Sequence, residues 1–145
     1  MKSKTVNIFL FIFLLMNSCI FEENLKPVLP YHMLHGGSIK VWQINEEIKS
    51  GVPKKISLND QKLTWLFYED LDVFEQKKVL LGSHKAKKGS YEMFYNNQGD
   101  IFLNLSFPKE SKQHFQVIKI MDNQLRLKNL DEDLILNLST LSKPF

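Results

Sequence analysis

The chain has 145 residues with 19 basic and 16 acidic side chains, and its formal charge of +3 includes Lys2 and Lys4 near the start. Without those two lysines the charges nearly balance, which gives no reason to expect nucleic acid or a polybasic membrane patch. The sequence contains one cysteine, so no internal disulfide can form and an apolar core must stabilise the fold. The length fits a single domain.

Residues 1–18 have the features of an export signal. A basic start precedes an apolar run from Val6 to Met16, and Asn17-Ser18-Cys19 closes it. The run is roughly half of the ~20 residues needed to span a bilayer, so an uncleaved membrane helix is the weaker interpretation.

The end of this signal, Leu15-Met16-Asn17-Ser18-Cys19, resembles the lipobox of bacterial lipoproteins, with Met16 where leucine is commonest. The resemblance implies a signal peptide at 1–18, cleavage before Cys19, and lipid on the sulfur and amine of Cys19. Several acyl chains anchor a protein stably where one is marginal. An ordinary signal peptide with a cysteine near its cleavage point is the alternative.

Residues 19–33 are expected to form a lipid-anchored tether, because Pro27 and Pro30 oppose regular structure. The Glu22-Glu23 pair resembles the acidic sorting signal that sends some lipoproteins of the Bacteroidota to the cell surface, although solvated tether acids would look the same. We therefore expect an outer-membrane protein, anchored by lipid and exposed either to the periplasm or at the cell surface.

Short apolar or alternating runs follow at a spacing of about ten residues, and period-two alternation indicates strands with one buried face. They predict eight strands, at 39–45, 63–69, 73–81, 90–95, 101–107, 114–121, 124–129 and 134–139. In the clearest, 101–107, Leu103 and Leu105 should be buried, and Asn104 and Ser106 wet. Residues at 96–100 and 122–123 that favour turns indicate hairpins. The sequence predicts an all-β domain at 34–145, most economically an antiparallel up-and-down barrel of about eight strands, with a sandwich as the alternative.

The segment Leu34-His35-Gly36-Gly37-Ser38-Ile39-Lys40-Val41-Trp42 resembles the opening of lipocalin-like domains in lipoproteins of the Bacteroidota. In these domains an L-x-G-G segment precedes K-x-W at the first strand. The runs at 63–67, 89–91, 115–120 and 125–127 fit the same order of strands. The similarity covers roughly residues 34–130 and implies a barrel that binds a small apolar ligand.

Seven side chains are candidates for lining such a pocket: Trp42, Trp65, Phe67, Tyr91, Met93, Phe102 and Phe115. The same residues could instead fill a solid core, because the interior of an eight-stranded barrel is just wide enough for either arrangement. The sequence leaves both open.

We expect no enzyme, cofactor or metal site, because the four histidines are scattered and no nucleophile motif is present. Acidic residues at 69–72 and the basic run at 77–88 are best interpreted as solvated surface. Two functions follow. The first is a membrane-anchored lipocalin-like lipoprotein of the cell envelope that binds a small apolar ligand. The second is a structural or accessory lipoprotein that docks onto an envelope protein complex with a solid barrel core.

Overall fold

The computed structural model describes residues 28–57, 63–76 and 86–141. These residues form one helix and nine strands: α1 (Val28–His35), β1 (Ile39–Lys49), β2 (Val52–Lys55), β3 (Thr64–Tyr68), β4 (Asp72–Gln76), β5 (Lys87–Tyr95), β6 (Ile101–Ser106), β7 (Gln113–Ile120), β8 (Gln124–Asn129) and β9 (Leu134–Thr140). The export signal, Cys19 and the Glu22-Glu23 pair lie outside the described residues, as do the basic residues at 77–85.

Eight of the strands form a closed antiparallel barrel. Neighbouring strands pair in the order β1, β3, β4 and onward to β9, and β9 pairs back with β1 from Trp42 opposite Thr140 to Lys49 opposite Leu134. Closure leaves no unpaired edge among these eight strands. The predicted all-β, antiparallel up-and-down barrel is confirmed.

Period-two alternation places the core inside the barrel. On β6, Leu103 and Leu105 are fully buried, as predicted, whereas Asn104 and Ser106 on the opposite face are half-buried rather than wet. Asn104 is partly covered because its side-chain oxygen lies 2.8 Å from Nδ1 of His114, its partner on β7.

The first strand and its neighbour differ from the prediction. β1 extends to Lys49 instead of ending at residue 45, and its pairing with β9 shifts register between Ile44 and Glu46. Beyond this bulge β1 pairs with β2, the ninth strand. All four β2 residues are exposed and one is Pro53, so no alternation marked this strand in the sequence.

The start of the folded domain also differs from the prediction. Residues 28–33, assigned to the tether, belong to α1, and α1 buries Tyr31 and Leu34 in the core. Pro30 fits because a proline in the first turn of a helix lacks only an N–H that has no partner within the helix. Within the described residues, the folded domain therefore begins with α1 at Val28 rather than at residue 34.

Alternating strand directions give the barrel two distinct ends. The helix end carries α1 and the turns at 36–38, 69–71, 96–100 and 121–123. The loop end carries the turns at 50–51, 107–112 and 130–133, together with the last residue of β4 and the first residues of β3 and β5. These two names are used below.

Candidate functional site

Most of the predicted ligand-contacting side chains lie together inside the barrel. The interior members are all buried: Trp42, Trp65, Phe67, Tyr91, Met93 and Phe115. Phe102 was expected among them, but it lies on the outer face of β6, beside inward-facing Leu103. Its ring stacks there on Phe94 with centroids 5.6 Å apart.

The interior rings touch one another. Phe67 meets Tyr91 edge to face at 5.0 Å between centroids, and Trp65 lies 5.8 Å from Phe115 and 6.3 Å from Phe67. These are the spacings of favourable aromatic pairs. The rings therefore pack as one cluster across the barrel, and burial raises the pKa of the Tyr91 hydroxyl, which donates to the carbonyl oxygen of Tyr68 at 2.7 Å.

The helix end is closed by α1 through hydrogen bonds to backbone groups. The indole Nε1 of Trp42 donates to the carbonyl oxygen of Leu34 at 2.8 Å, and the backbone N–H of Met93 donates to the Tyr31 hydroxyl at 2.7 Å. Gly36 and Gly37 follow the helix with φ of 66° and 82°, the left-handed region in which glycine is favoured. Together they turn the chain from α1 into β1, so that the helix lies against the barrel opening.

His35 belongs to this closure. Its Nδ1 accepts a hydrogen bond from the backbone N–H of Gly37 at 3.0 Å, which requires that nitrogen to be unprotonated. Burial lowers the pKa of His35, and the electrostatic effects of His32 and Lys40 act in the same direction, while the Glu69 carboxylate opposes them. The helix end thus favours a neutral imidazole.

The loop end differs because an acid and a base face the interior there and pair with each other, whereas inward-facing Lys40 at the helix end donates to the carbonyl oxygen of Met33. Glu75 pairs across strands with both Trp65 and Lys87, which places all three on the inner face. The Glu75 carboxylate accepts from Trp65 Nε1 at 3.0 Å and from Lys87 Nζ at 3.2 Å. Lys87 also donates to Glu110 in the β6–β7 turn. Although burial lowers the pKa of Lys87, its bonds to Glu110 and Glu75 outweigh this and leave the pKa raised.

Phe107 packs at the same end. Lys87 Nζ lies 4.4 Å from the centre of the Phe107 ring, within the range of a cation–π contact. A Cβ added at Gly89 would lie 2.5 Å from an edge carbon of this ring and 2.5 Å from the Ser106 carbonyl oxygen. Glycine at position 89 therefore lets Phe107 lie directly against β5.

A surface cleft of about 560 Å³ opens beside this network. It is lined by residues with polar side chains from the β6–β7 turn, the start of β7, the end of β8 and the β8–β9 turn: Glu110, Ser111, Lys112, Gln113, His114, Asn129, Asp131 and Glu132. Gln113 and Asn129 pair with the inward-facing Leu105 and Phe115, so they lie on the inner face of the barrel. The cleft and the inner rim of the loop end therefore share residues.

Glu75, Lys87 and Phe107 were not among the sequence candidates. Lys87 was assigned to a solvated basic run, and Glu75 lies in the strand predicted at 73–81 without a role in a site. The alternation of Val73 and Glu75 on β4 was the available signal, since Val73 is buried. The Glu75–Lys87 pair could be predicted only from the pairing register of β4 and β5, which ten residues of sequence separate.

Comparison with models of known protein families, with characterised proteins and with solved structures gave no match. Across residues 28–57, 63–76 and 86–141, no helix has the length and hydropathy to cross a membrane. In the same ranges, no group of three or more histidine, cysteine, aspartate or glutamate side chains is placed to hold a metal ion.

Proposed function

We propose that this protein is a lipid-anchored, lipocalin-like binding module of a bacterial cell envelope. Cys19 carries the anchor, and the loop end of the barrel takes up a small apolar molecule or the apolar part of one. The observation that carries this proposal is the difference between the two ends. One end is closed by α1, whereas the other presents inward-facing Glu75 and Lys87 above an aromatic interior.

The loop end has the composition of a small-molecule site, in which apolar walls carry a few placed polar groups. Trp65 and Phe107 supply apolar surface beside the charged pair of Glu75 and Lys87. An apolar ligand would contact the rings, and a polar group on it would face the charges. A molecule with an apolar body and one polar end fits this arrangement best.

A second candidate is an accessory lipoprotein that docks onto an envelope protein complex. Two observations favour it: the interior rings contact one another, as in a filled core, and the outer face carries the stacked pair of Phe94 and Phe102. In this function the barrel serves as a rigid support and its outer surface makes the contact.

Native mass spectrometry of the full lipidated chain, extracted from membranes in mild detergent, distinguishes the two candidates. The binding module should carry an additional non-covalent mass that is lost under denaturing conditions. A chain without such mass, recovered instead in a stable protein complex, would contradict the first proposal and support the second.

Two variants on β7 locate the binding site. Gln113 faces inward at the loop end and Gln116 faces outward opposite Phe102, and both are half-buried. Gln113→Trp should block the loop end and reduce the retained mass, whereas Gln116→Trp should leave it unchanged. Equal retention by the two variants would show that the ligand does not enter through the loop end.

Labelling cells with radioactive palmitate tests the anchor separately. Cys19→Ala should abolish labelling and leave unprocessed precursor, because the thiol is the attachment point of the diacylglycerol. Labelling that survives the substitution would contradict lipid attachment at Cys19.

A further inference from the structure

Exposed apolar side chains are concentrated at the helix end. Among the described residues, seven large hydrophobic side chains are exposed, and five of them belong to α1 or lie near the β1 start and the β7 end. We call these five the helix-end rim: Val28, Leu29, Ile39, Ile118 and Met121. Val28 and Leu29 are 81% and 63% exposed. Five such side chains at the helix end, against Val52 and Leu130 at the loop end, make this end the candidate for an interaction surface.

The path of the chain indicates what covers the rim. Nine residue steps separate Cys19 from Val28, the first residue of α1, and a fully extended segment of that length reaches roughly 30 Å. The described chain begins with α1, so the helix end is the part of the barrel that Cys19 reaches through the shortest stretch of chain. A six-residue strand such as β6 is about 20 Å long, so bringing the loop end to the same surface would require most of the available reach.

The charges near the rim indicate the kind of surface. The helix-end turns carry the carboxylates of Glu69, Asp70, Asp100 and Asp122. The described lysine and arginine side chains near the rim are Lys40, which donates to the carbonyl oxygen of Met33 at 2.8 Å and lies over the Trp42 ring, and the exposed Lys119 and Arg126, which pair across β7 and β8 beside Ile118. Positive charge is therefore not in excess near the rim, so we expect a contact with lipid to depend on the apolar side chains.

We propose that the helix end rests on the lipid surface, with rim side chains in the interfacial layer of zwitterionic phospholipid and the loop end facing away. Shallow burial of apolar side chains at this depth is how interfacial segments bind membranes. The inference rests on the proposed anchor at Cys19 and adds an orientation to it. It also leaves the proposed ligand entrance open to the aqueous side.

Two exposed side chains provide a matched test. Met121 at the helix end and Leu130 at the loop end are 49% and 50% exposed, so a nitroxide label can replace either at similar cost. The lipidated full chain carrying Met121→Cys or Leu130→Cys is labelled and reconstituted in phosphatidylcholine vesicles. The Cys19 thiol is blocked by its lipid. Ile118→Cys gives a second rim position, which guards against failure of one variant to fold.

Electron paramagnetic resonance then compares the collision rates of each label with oxygen, which concentrates in lipid, and with a water-soluble nickel chelate. The ratio of the collision rate with oxygen to that with the chelate should be several-fold higher for the labels at 121 and 118 than for the label at 130. Added phosphatidylglycerol should not strengthen this contact. Equal accessibility at the two ends, or lipid contact at 130 alone, would overturn the proposed orientation.

Intact-mass measurement of the same samples distinguishes the two possible failures. A chain without lipid on Cys19 would overturn the proposed anchor and this inference together. A lipidated chain whose labels are all aqueous would overturn only the docking of the helix end. A contact that grows with anionic lipid would overturn the apolar nature of the surface.

Discussion

The two ends of the barrel satisfy their polar groups in different ways. At the helix end, Trp42 donates to a backbone carbonyl, Tyr31 accepts from a backbone N–H, and inward-facing Lys40 donates to the carbonyl oxygen of Met33, so backbone groups satisfy these side chains. At the loop end, Trp65 donates to the Glu75 carboxylate, which also accepts from Lys87. Side-chain exposures of 18% for Glu75 and 31% for Lys87 show that water reaches this network. The Trp42 indole is therefore held by a backbone carbonyl, and the Trp65 indole by a partly solvated carboxylate. We expect the loop end to open locally more easily than the helix end.

The largest expected effect tests whether α1 is part of the core. Leu34 is fully buried and Leu29, on the same helix, is 63% exposed. Leu34→Ala should lower the free energy of unfolding by about 2–5 kcal/mol because it leaves a cavity. Leu29→Ala should change it by under about 0.5 kcal/mol. Denaturant unfolding measures both, and similar small losses would mean that the helix does not close the barrel.

The second prediction concerns the barrel wall between the two ends. Leu105→Ala should also cost about 2–5 kcal/mol, since its side chain is fully buried. Asn104→Ala should cost about 0.5–1.5 kcal/mol, because it removes the contact with His114. A larger loss of stability for Asn104→Ala than for Leu105→Ala would mean that β6 turns Asn104, and not Leu105, toward the core.

The third prediction concerns a variant that weakens the loop end alone. Glu75→Gln removes the charge that faces Lys87 while it keeps an oxygen that can accept from Trp65. Because both charged groups are partly exposed, we expect a modest loss of about 0.5–1.5 kcal/mol in urea unfolding. Glu47→Gln on β1 provides a control, since Glu47 is half-buried on another strand. Equal losses for the two variants would argue against a specific role of the Glu75 network.

The last prediction concerns a pH dependence of stability at the helix end. Burial lowers the pKa of His35 in the folded state, so below about pH 6.5 the unfolded chain binds a proton more readily than the folded one. Stability should therefore fall as the pH drops from 7 toward 5, with a slope from this group of at most about 1.4 kcal/mol per pH unit. His35→Gln should reduce the slope over that interval. An unchanged slope would show that His35 does not titrate in the closure.

The sequence predicted the barrel because alternation survives wherever one face of a strand is buried, as in β6, β8 and β9. It did not predict β2, whose residues are all exposed, or α1, whose eight residues include a proline and lack a clear amphipathic period. Alternation or helical periodicity of apolar residues marks an element only when one of its faces is buried and apolar and the other is exposed and polar, which is true of neither β2 nor α1.

The candidate site was predicted in part for the same reason. Large apolar side chains such as Trp65 and Phe115 are expected inside a barrel, and they lie there. Phe102 was misplaced because β6 carries apolar residues on both faces at that point. The Glu75 and Lys87 pair depends on cross-strand register and on the β6–β7 turn, which no local pattern encodes.

The exchange of two indole protons tests the difference between the ends most directly. The chain has two tryptophans, so its NMR spectrum contains two indole N–H signals, one from each end. In deuterated buffer, the Trp42 signal should decay only at the rate of global unfolding, whereas the Trp65 signal should decay faster through local opening. Glu75→Gln should accelerate decay at Trp65 more than at Trp42. Equal decay of the two signals, or faster decay at Trp42, would contradict a barrel that is closed at the helix end and opens at the loop end.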